Sequence, residues 1–180
     1  NAGYSSSGKE GSALDLPDHS SYVTSSAPIN LSTFSIGGWY KGTDDNTSTT
    51  RAICRTGNSD YNTILGYRPE DDDFGIYLRY GVSETIRFYS PGNIIDGQWH
   101  HVFLTFSNGI AKVYLDGELI DTRDYSATFT SLYDTGDGLR IGGWFGDRTL
   151  IGLYDDFRLL DYTLSEAEIS ALYNRPQEPS

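Results

Sequence analysis

The sequence predicts an all-β fold: two antiparallel sheets stacked as a sandwich, with one short helix at the end. Three observations predict it. Runs of alternating apolar and polar residues recur along the chain, punctuated by 20 glycines. Turn pairs separate these runs, at Asp96-Gly97, Asn108-Gly109 and Asp116-Gly117. A helical pattern occurs once, near the C-terminus.

The elements follow in order. Residues 1–11 are polar and rich in Gly and Ser, a lead-in to the first strands, which begin at Ala13. Phe34, Ile36, Gly38 and Tyr40 alternate with Ser35, Gly37, Trp39 and Lys41. Ala52-Ile53-Cys54-Arg55 reads as a strand with Cys54 as a small buried hydrophobe. Phe74, Ile76, Leu78 and Tyr80 alternate in the same way, as do Val102, Leu104 and Phe106 against His101, Phe103 and Thr105. Asp116-Gly117 joins Val113-Tyr114-Leu115 to Leu119-Ile120 as a hairpin. Trp39, Trp99 and Phe103 oppose the core sets of their strands, so one outer face is aromatic. Either a third layer covers that face or it serves a ligand. Ser165 and Glu168 form a capping box for a helix over 166–173, with Ile169 and Leu172 on one side and Asn174 and Pro176 ending it. The expected organisation is one domain over 1–176 and a linker stub at 177–180.

Composition excludes several classes. With 180 residues, 37% hydrophobic, the chain can bury a sizeable core and is too apolar for disorder. Lys and Arg total 13 against 25 Asp and Glu, a net charge of −12 that argues against nucleic acid and anionic membranes as partners. No stretch approaches the roughly 20 apolar residues of a membrane span. Methionine is absent even at position 1, so a piece of a longer protein is expected. The lone Cys54 excludes an internal disulfide, and His19, His100 and His101 lack zinc-ligand spacing.

Motifs in the second half carry a resemblance. Asp96-Gly97-Gln98-Trp99-His100-His101-Val102 precedes Val113-Tyr114-Leu115-Asp116-Gly117. Then come Leu139-Arg140-Ile141-Gly142-Gly143, Gly152 to Arg158, and Leu164-Ser165 through Asn174. Gly8 to Leu14, Ser21-Tyr22-Val23 and Phe34 to Trp39 agree in the first half. Together, over residues 8–174, they resemble the laminin-G-like, concanavalin A-like jelly-roll family, which includes the pentraxins. The resemblance implies a two-sheet antiparallel jelly roll. It also implies a structural calcium ion (Ca2+) where the first and last strands meet. Asp155 would be a ligand, joined by backbone carbonyls and Asp18; pairing of Asp155 with Arg or Lys is the alternative. The stretch from Asp60 to Leu65 resembles the pentraxin segment whose acid–amide pair binds calcium. Its partner loop, Gly143 to Arg148, keeps only Asp147 and departs from a two-calcium site. A rim sugar site is expected instead. Trp144 and Phe145 would stack on sugar faces, beside Tyr61, with Asp60, Asn62, Asp147 and Arg148 hydrogen-bonding to hydroxyls. The alternative is that Trp144 or Phe145 folds back as a lid.

Strict alternation sets His100 and His101 on opposite faces, and Asp155 beside Phe157 with Asp156 beside Tyr154. The Glu70-Asp71-Asp72-Asp73 run reads as a solvated turn. No strand carries paired acids in a Glu-x-Asp-x-Glu arrangement, and no Ser-His-Asp set or phosphate loop is present. The expected function is a non-catalytic, extracellular, carbohydrate-binding module of a larger secreted or surface protein, stabilised by calcium, with a glycan or polysaccharide as partner. The alternatives are an adhesion module binding a cell-surface protein, or a structural spacer in an adhesin or polysaccharide-degrading enzyme.

Overall fold

The computed structural model describes residues 2–25, 32–42, 51–56, 63–68, 73–79, 85–131, 138–142 and 149–176. Thirteen strands and one helix lie among them. β1 (Gly3–Ser5), β2 (Ala13–Leu16), β13 (Gly152–Leu160), β4 (Thr33–Lys41), β9 (His100–Ser107), β10 (Ile110–Leu115) and β11 (Glu118–Asp124) form a seven-stranded sheet in that spatial order. β3 (Tyr22–Thr24), β12 (Leu139–Gly142), β5 (Arg51–Thr56), β6 (Thr63–Arg68), β7 (Asp73–Arg79) and β8 (Thr85–Pro91) form a six-stranded sheet. Within each sheet, neighbouring strands run antiparallel. The expected jelly-roll sandwich is therefore present, and its last strand, β13, inserts between β2 and β4.

The core lies between the sheets. The seven-stranded sheet supplies Phe34, Ile36, Tyr40, Val102, Leu104, Phe106 and Tyr154; the six-stranded sheet supplies Cys54, Leu65, Tyr67, Phe74 and Ile76. Each fully buried large apolar side chain contributes about 1.5–3 kcal/mol. The expected hairpins form. Asn108 and Asp116 take φ of 48° and 50°, followed by Gly109 and Gly117 at 91° and 81°. Two successive left-handed residues match the twist of the flanking strands.

Helix α1 (Glu166–Tyr173) begins at the capping box read from the sequence: Ser165 Oγ accepts from Glu168 N, and the Glu168 carboxylate accepts from Ser165 N. It roofs the outer face of the seven-stranded sheet. Ile169 and Leu172 pack there with Phe103, Tyr114 and Leu164. Of the two readings of that aromatic face, the covered one holds, and a helix does the covering.

One expectation fails on β13. Asp155 pairs with Trp39 and Arg158 with Gly37, so Asp156 and Phe157 together stand opposite Gly38 and one extra residue bulges out. Asp156 takes φ +46° within the bulge. Tyr154 and Phe157 consequently both pack toward the core, and Asp155 shares the outer side with Trp39. Gly38 makes the bulge possible: a Cβ there would stand 2.7 Å from Phe157 Cα.

Candidate functional site

The expected rim residues Asp60, Tyr61, Asn62, Trp144, Phe145, Asp147 and Arg148 lie outside the described residues. Their flanking strands are placed. Thr56 pairs with Leu139 at one end of the β5–β12 ladder, whereas Gly142 leaves from the other end. Thr56 and Gly142 thus lie at opposite ends of that ladder.

The two expected calcium ligands are also separated. The β2–β13 ladder runs from Leu16–Gly152 to Leu14–Tyr154. Asp18 lies beyond the first pair and Asp155 beyond the last. Asp18 closes its own turn, its Oδ1 accepting from Ser20 N at 2.9 Å, Ser20 Oγ at 2.7 Å and Ser21 Oγ at 3.0 Å. These hydrogen bonds, the Ser20 hydroxyl first, hold its carboxyl well below the usual range.

Asp155 sits in a cluster on the outer side of β13. Its Oδ2 accepts from Glu10 N at 2.7 Å and its Oδ1 from Asp156 N at 2.8 Å. Arg175 Nη2 bridges Glu10 Oε2 at 2.7 Å and Asp156 Oδ2 at 2.8 Å. Arg158 reaches both oxygens of Asp156, at 3.0 and 2.7 Å. Both Asp155 oxygens therefore face N–H donors, and the neighbouring carboxylates face guanidinium groups. Among the described residues no three His, Cys, Asp or Glu side chains converge as a metal shell. As arranged, these residues do not fit a calcium ion. Arg does neutralise the acids here, through Asp156 and Glu10 rather than through Asp155 itself.

The two histidines do different work. His100 Nδ1 lies 2.9 Å from Asp116 Oδ2 and its Nε2 3.0 Å from Asp96 Oδ1, tying two turns together. These carboxylates, Asp116 first, raise its pKa. His101 is 2% exposed and packs between Trp39 and Phe103 with tilted rings, at centroid distances of 5.0 and 5.1 Å. Its Nδ1 is buried without a hydrogen-bond partner. Burial pushes its pKa down to about 4, against the opposing pull of Asp116 and Asp156. Cys54 is fully buried, and that burial pushes its thiol far up.

The outer face of the six-stranded sheet is chemically different. Arg140 lies over the Tyr22 ring at 5.0 Å, and Tyr22 is 47% exposed. Arg68 lies over the Tyr89 ring at 4.8 Å and pairs with Asp73 at 2.6 Å. Arg55, cross-strand partner of Arg140, is 3% exposed. Reading the sequence for sugar stacking singled out loops and missed this face. The available signal was basic residues recurring inside strands, as in Arg51–Thr56 and Leu139–Gly142, while acids collected in turns.

Two facing antiparallel sheets with β13 inserted beside β4 define a lectin-type jelly roll. The chain belongs to the Laminin_G_3 family of the concanavalin A-like lectin/glucanases superfamily, whose model matches residues 14–170. It is 24% identical over 164 residues to Adhesion G-protein coupled receptor V1 of Danio rerio, covering 87% of this chain and 3% of the receptor. Solved structures of the same fold include the binding domain of Paraclostridial Mosquitocidal Protein 1, with a TM-score of 0.75 and 15% identity over 96% of this chain and 45% of that one. Domain 4 of AbnA, an extracellular arabinanase from Geobacillus stearothermophilus solved with arabinotriose, gives 0.71 and 19% over 97% and 82%. The CBM40 of Ruminococcus gnavus IT-sialidase gives 0.69 and 20% over 92% and 97%.

Proposed function

We propose that this chain is a non-catalytic carbohydrate-binding module, carried outside the cell by a larger secreted or surface protein. The observation that carries the reading is the pairing of rings and guanidinium groups on the six-stranded sheet, Tyr22 with Arg140 and Tyr89 with Arg68. Flat apolar faces beside multiple N–H donors suit sugars, which present apolar ring faces and many hydroxyls. Support for a non-catalytic role comes from His100, held by two carboxylates, and Cys54, buried as a neutral thiol; neither is set up as base or nucleophile. Relatives of this fold named as a carbohydrate-binding module and as an arabinanase domain with arabinotriose favour the same reading.

A glycan array probed with the purified chain tests it. Binding without release of reducing sugar is the expected result; hydrolysis, or silence across the array, overturns it. The rim residues remain part of the proposal, and Trp144→Ala tests them: lost affinity with unchanged melting supports stacking, and a large melting loss indicates a lid. Likeness to an adhesion receptor favours a second reading, a protein-binding module. A pull-down from cell-surface extracts with a silent glycan array would favour it over the first.

A further inference from the structure

A second apolar cluster stands apart from the core between the sheets. Phe103, Tyr114, Leu164 and Ile169 form it on the outer side of the seven-stranded sheet, with Leu160 and Leu172 at its margin. Ile169 is the one buried residue that α1 brings. Lys112 Nζ holds Glu166 Oε1 at 2.8 Å where the helix begins, and Arg175 holds Glu10 and Asp156 just past its end. A helix of eight residues does not persist by itself in water, so docking on this small cluster is what keeps α1 in place. The main core joins the two sheets without it.

His101 lies under this roof. Its ring centroid is 5.0 Å from Trp39, 5.1 Å from Phe103 and 6.1 Å from Tyr173 of α1. Its Nδ1 is buried without a hydrogen-bond partner. The charged and titratable groups around it are Asp116 of the β10–β11 hairpin, Asp156 and Arg158 of β13, Tyr173 of α1, and Lys9 of the lead-in, which lies over Trp39. Both carboxylates are already engaged, Asp116 with His100 and the His101 backbone N–H, Asp156 with Arg158 and Arg175. Protonation would put a charge and a second N–H donor among aromatic rings, beside acids committed elsewhere. Burying an unpaired charge is costly, and burial accordingly pushes the pKa of the covered ring down to about 4. With the roof lifted, water solvates the ring and its pKa returns toward about 6.5. Elements held by few buried contacts open before the core does.

We propose that α1 is an acid-released roof: protonation of His101 undocks the helix and breaks the tie of Arg175 to the lead-in, uncovering Trp39, Phe103 and Tyr114 while the sandwich stays folded. This goes beyond the carbohydrate-binding reading and does not depend on it.

The test is hydrogen–deuterium exchange of the whole chain, read on peptic peptides at pH 7 and pH 5 and corrected for the intrinsic exchange rate. Opening takes up one proton, so between the two pKa values the open population rises up to about tenfold for each pH unit of acidification. From pH 7 to pH 5 the helix amides should lose protection about twentyfold, while those of β4, β9 and β10 keep theirs. His101→Phe and His101→Gln cannot take up the proton. In both, helix protection should be the same at the two pH values, whatever its absolute level, with the strands as internal control. Arg175→Gln should lower helix protection by one factor at both pH values and keep the slope. Helix protection that does not change with pH overturns the proposal, as does a loss shared equally by helix and strands. A slope that survives in both His101 variants overturns it too. A slope lost in Arg175→Gln would make the ionic tie the sensor and overturns the role of His101.

Discussion

The two sheets bury one face each against the other, and their outer faces then differ in kind. The seven-stranded sheet presents Trp39, His101, Phe103 and Tyr114, and α1 closes over them. Tyr173 stacks on Trp39 at 5.5 Å, and Lys9 Nζ caps the same ring at 4.3 Å. The six-stranded sheet presents arginines and tyrosines, and its Tyr22 edge is exposed. Aromatic residues on an outer face are thus no guide to a binding site in this molecule. Both faces hold a cation over a ring, Lys9 on Trp39 in one case and Arg140 on Tyr22 in the other. What distinguishes the two is cover: α1 buries the first set of rings, whereas Tyr22 stays exposed.

Cutting the closed face open should give the largest effect. Trp39 is 4% exposed, stacked on Tyr173 and packed against a tilted His101 ring. Trp39→Ala should cost about 3–5 kcal/mol in chemical denaturation, as for other buried aromatics. Glycan affinity, measured where the variant is folded, should be unchanged. A loss below about 1 kcal/mol would mean that the face is not core-like.

Acid should attack the same face next. His101 has a pKa of about 4 when folded, against about 6.5 when unfolded. The unfolded chain therefore takes up a proton between these values and the folded chain does not. Stability falls with pH over that window, by about 3 kcal/mol at pH 4. His101→Phe should remove this slope. His100 has the opposite sign. Its raised pKa contributes stability that is complete below about 6.5 and is lost as pH rises through the folded value. Melting curves of the parent should peak between the two windows, and His100→Gln should flatten only the alkaline side. A parent with no acid slope above pH 4.5 would break the account of His101.

The helix that roofs the closed face depends on its cap. Ser165→Ala removes the hydroxyl that accepts from Glu168 N and should cost about 1 kcal/mol. Thermal melting reads it, and glycan binding should not move. A change in binding with no change in melting would tie the capped end to the ligand face and erase the distinction between the sheets.

Strands, hairpins and the capped helix were legible in the sequence because their signals are local. Period-two alternation, Asn-Gly and Asp-Gly pairs, and Ser165 with Glu168 each lie within a few residues. The misplacement of Asp155 beside Phe157 has a physical cause. Alternation assumes an unbroken strand, and the bulge at Asp156 restores Phe157 to the core by inserting one extra residue, which shifts the alternation by one. Gly38 opposite the bulge was visible, but its meaning depends on β13 pairing with β4, far apart in sequence. The neighbourhood of Arg140 was hidden for the same reason: β12 pairs with β5 and β3, so Arg140, Arg55 and Thr24 become neighbours only after folding. Separation of Asp18 from Asp155 likewise follows from the β2–β13 register.

Metal removal should give the smallest effect and sharpens the account of the closed face. A calcium ion near Asp155 would tie the lead-in to β13 through carboxylates and backbone oxygens. The structure makes that tie with donors instead: Glu10 N and Asp156 N on Asp155, Arg175 across Glu10 and Asp156, and Arg158 on Asp156. Gly8 lets the lead-in pass close by, since a Cβ there would stand 2.9 Å from Asp155 Oδ2. An ion bound only by the folded state raises its stability by mass action, so stripping it would lower the melting temperature. With the carboxylates already met by N–H groups, excess chelator should leave the melting curve unchanged, and metal analysis of the purified chain should find no stoichiometric calcium. A melting temperature that drops in chelator, with the drop abolished in Asp155→Ala, would show that a cation displaces those donors. The closed face would then depend on metal at the edge where the lead-in meets β13, and the contrast between the sheets would no longer be one of cover alone.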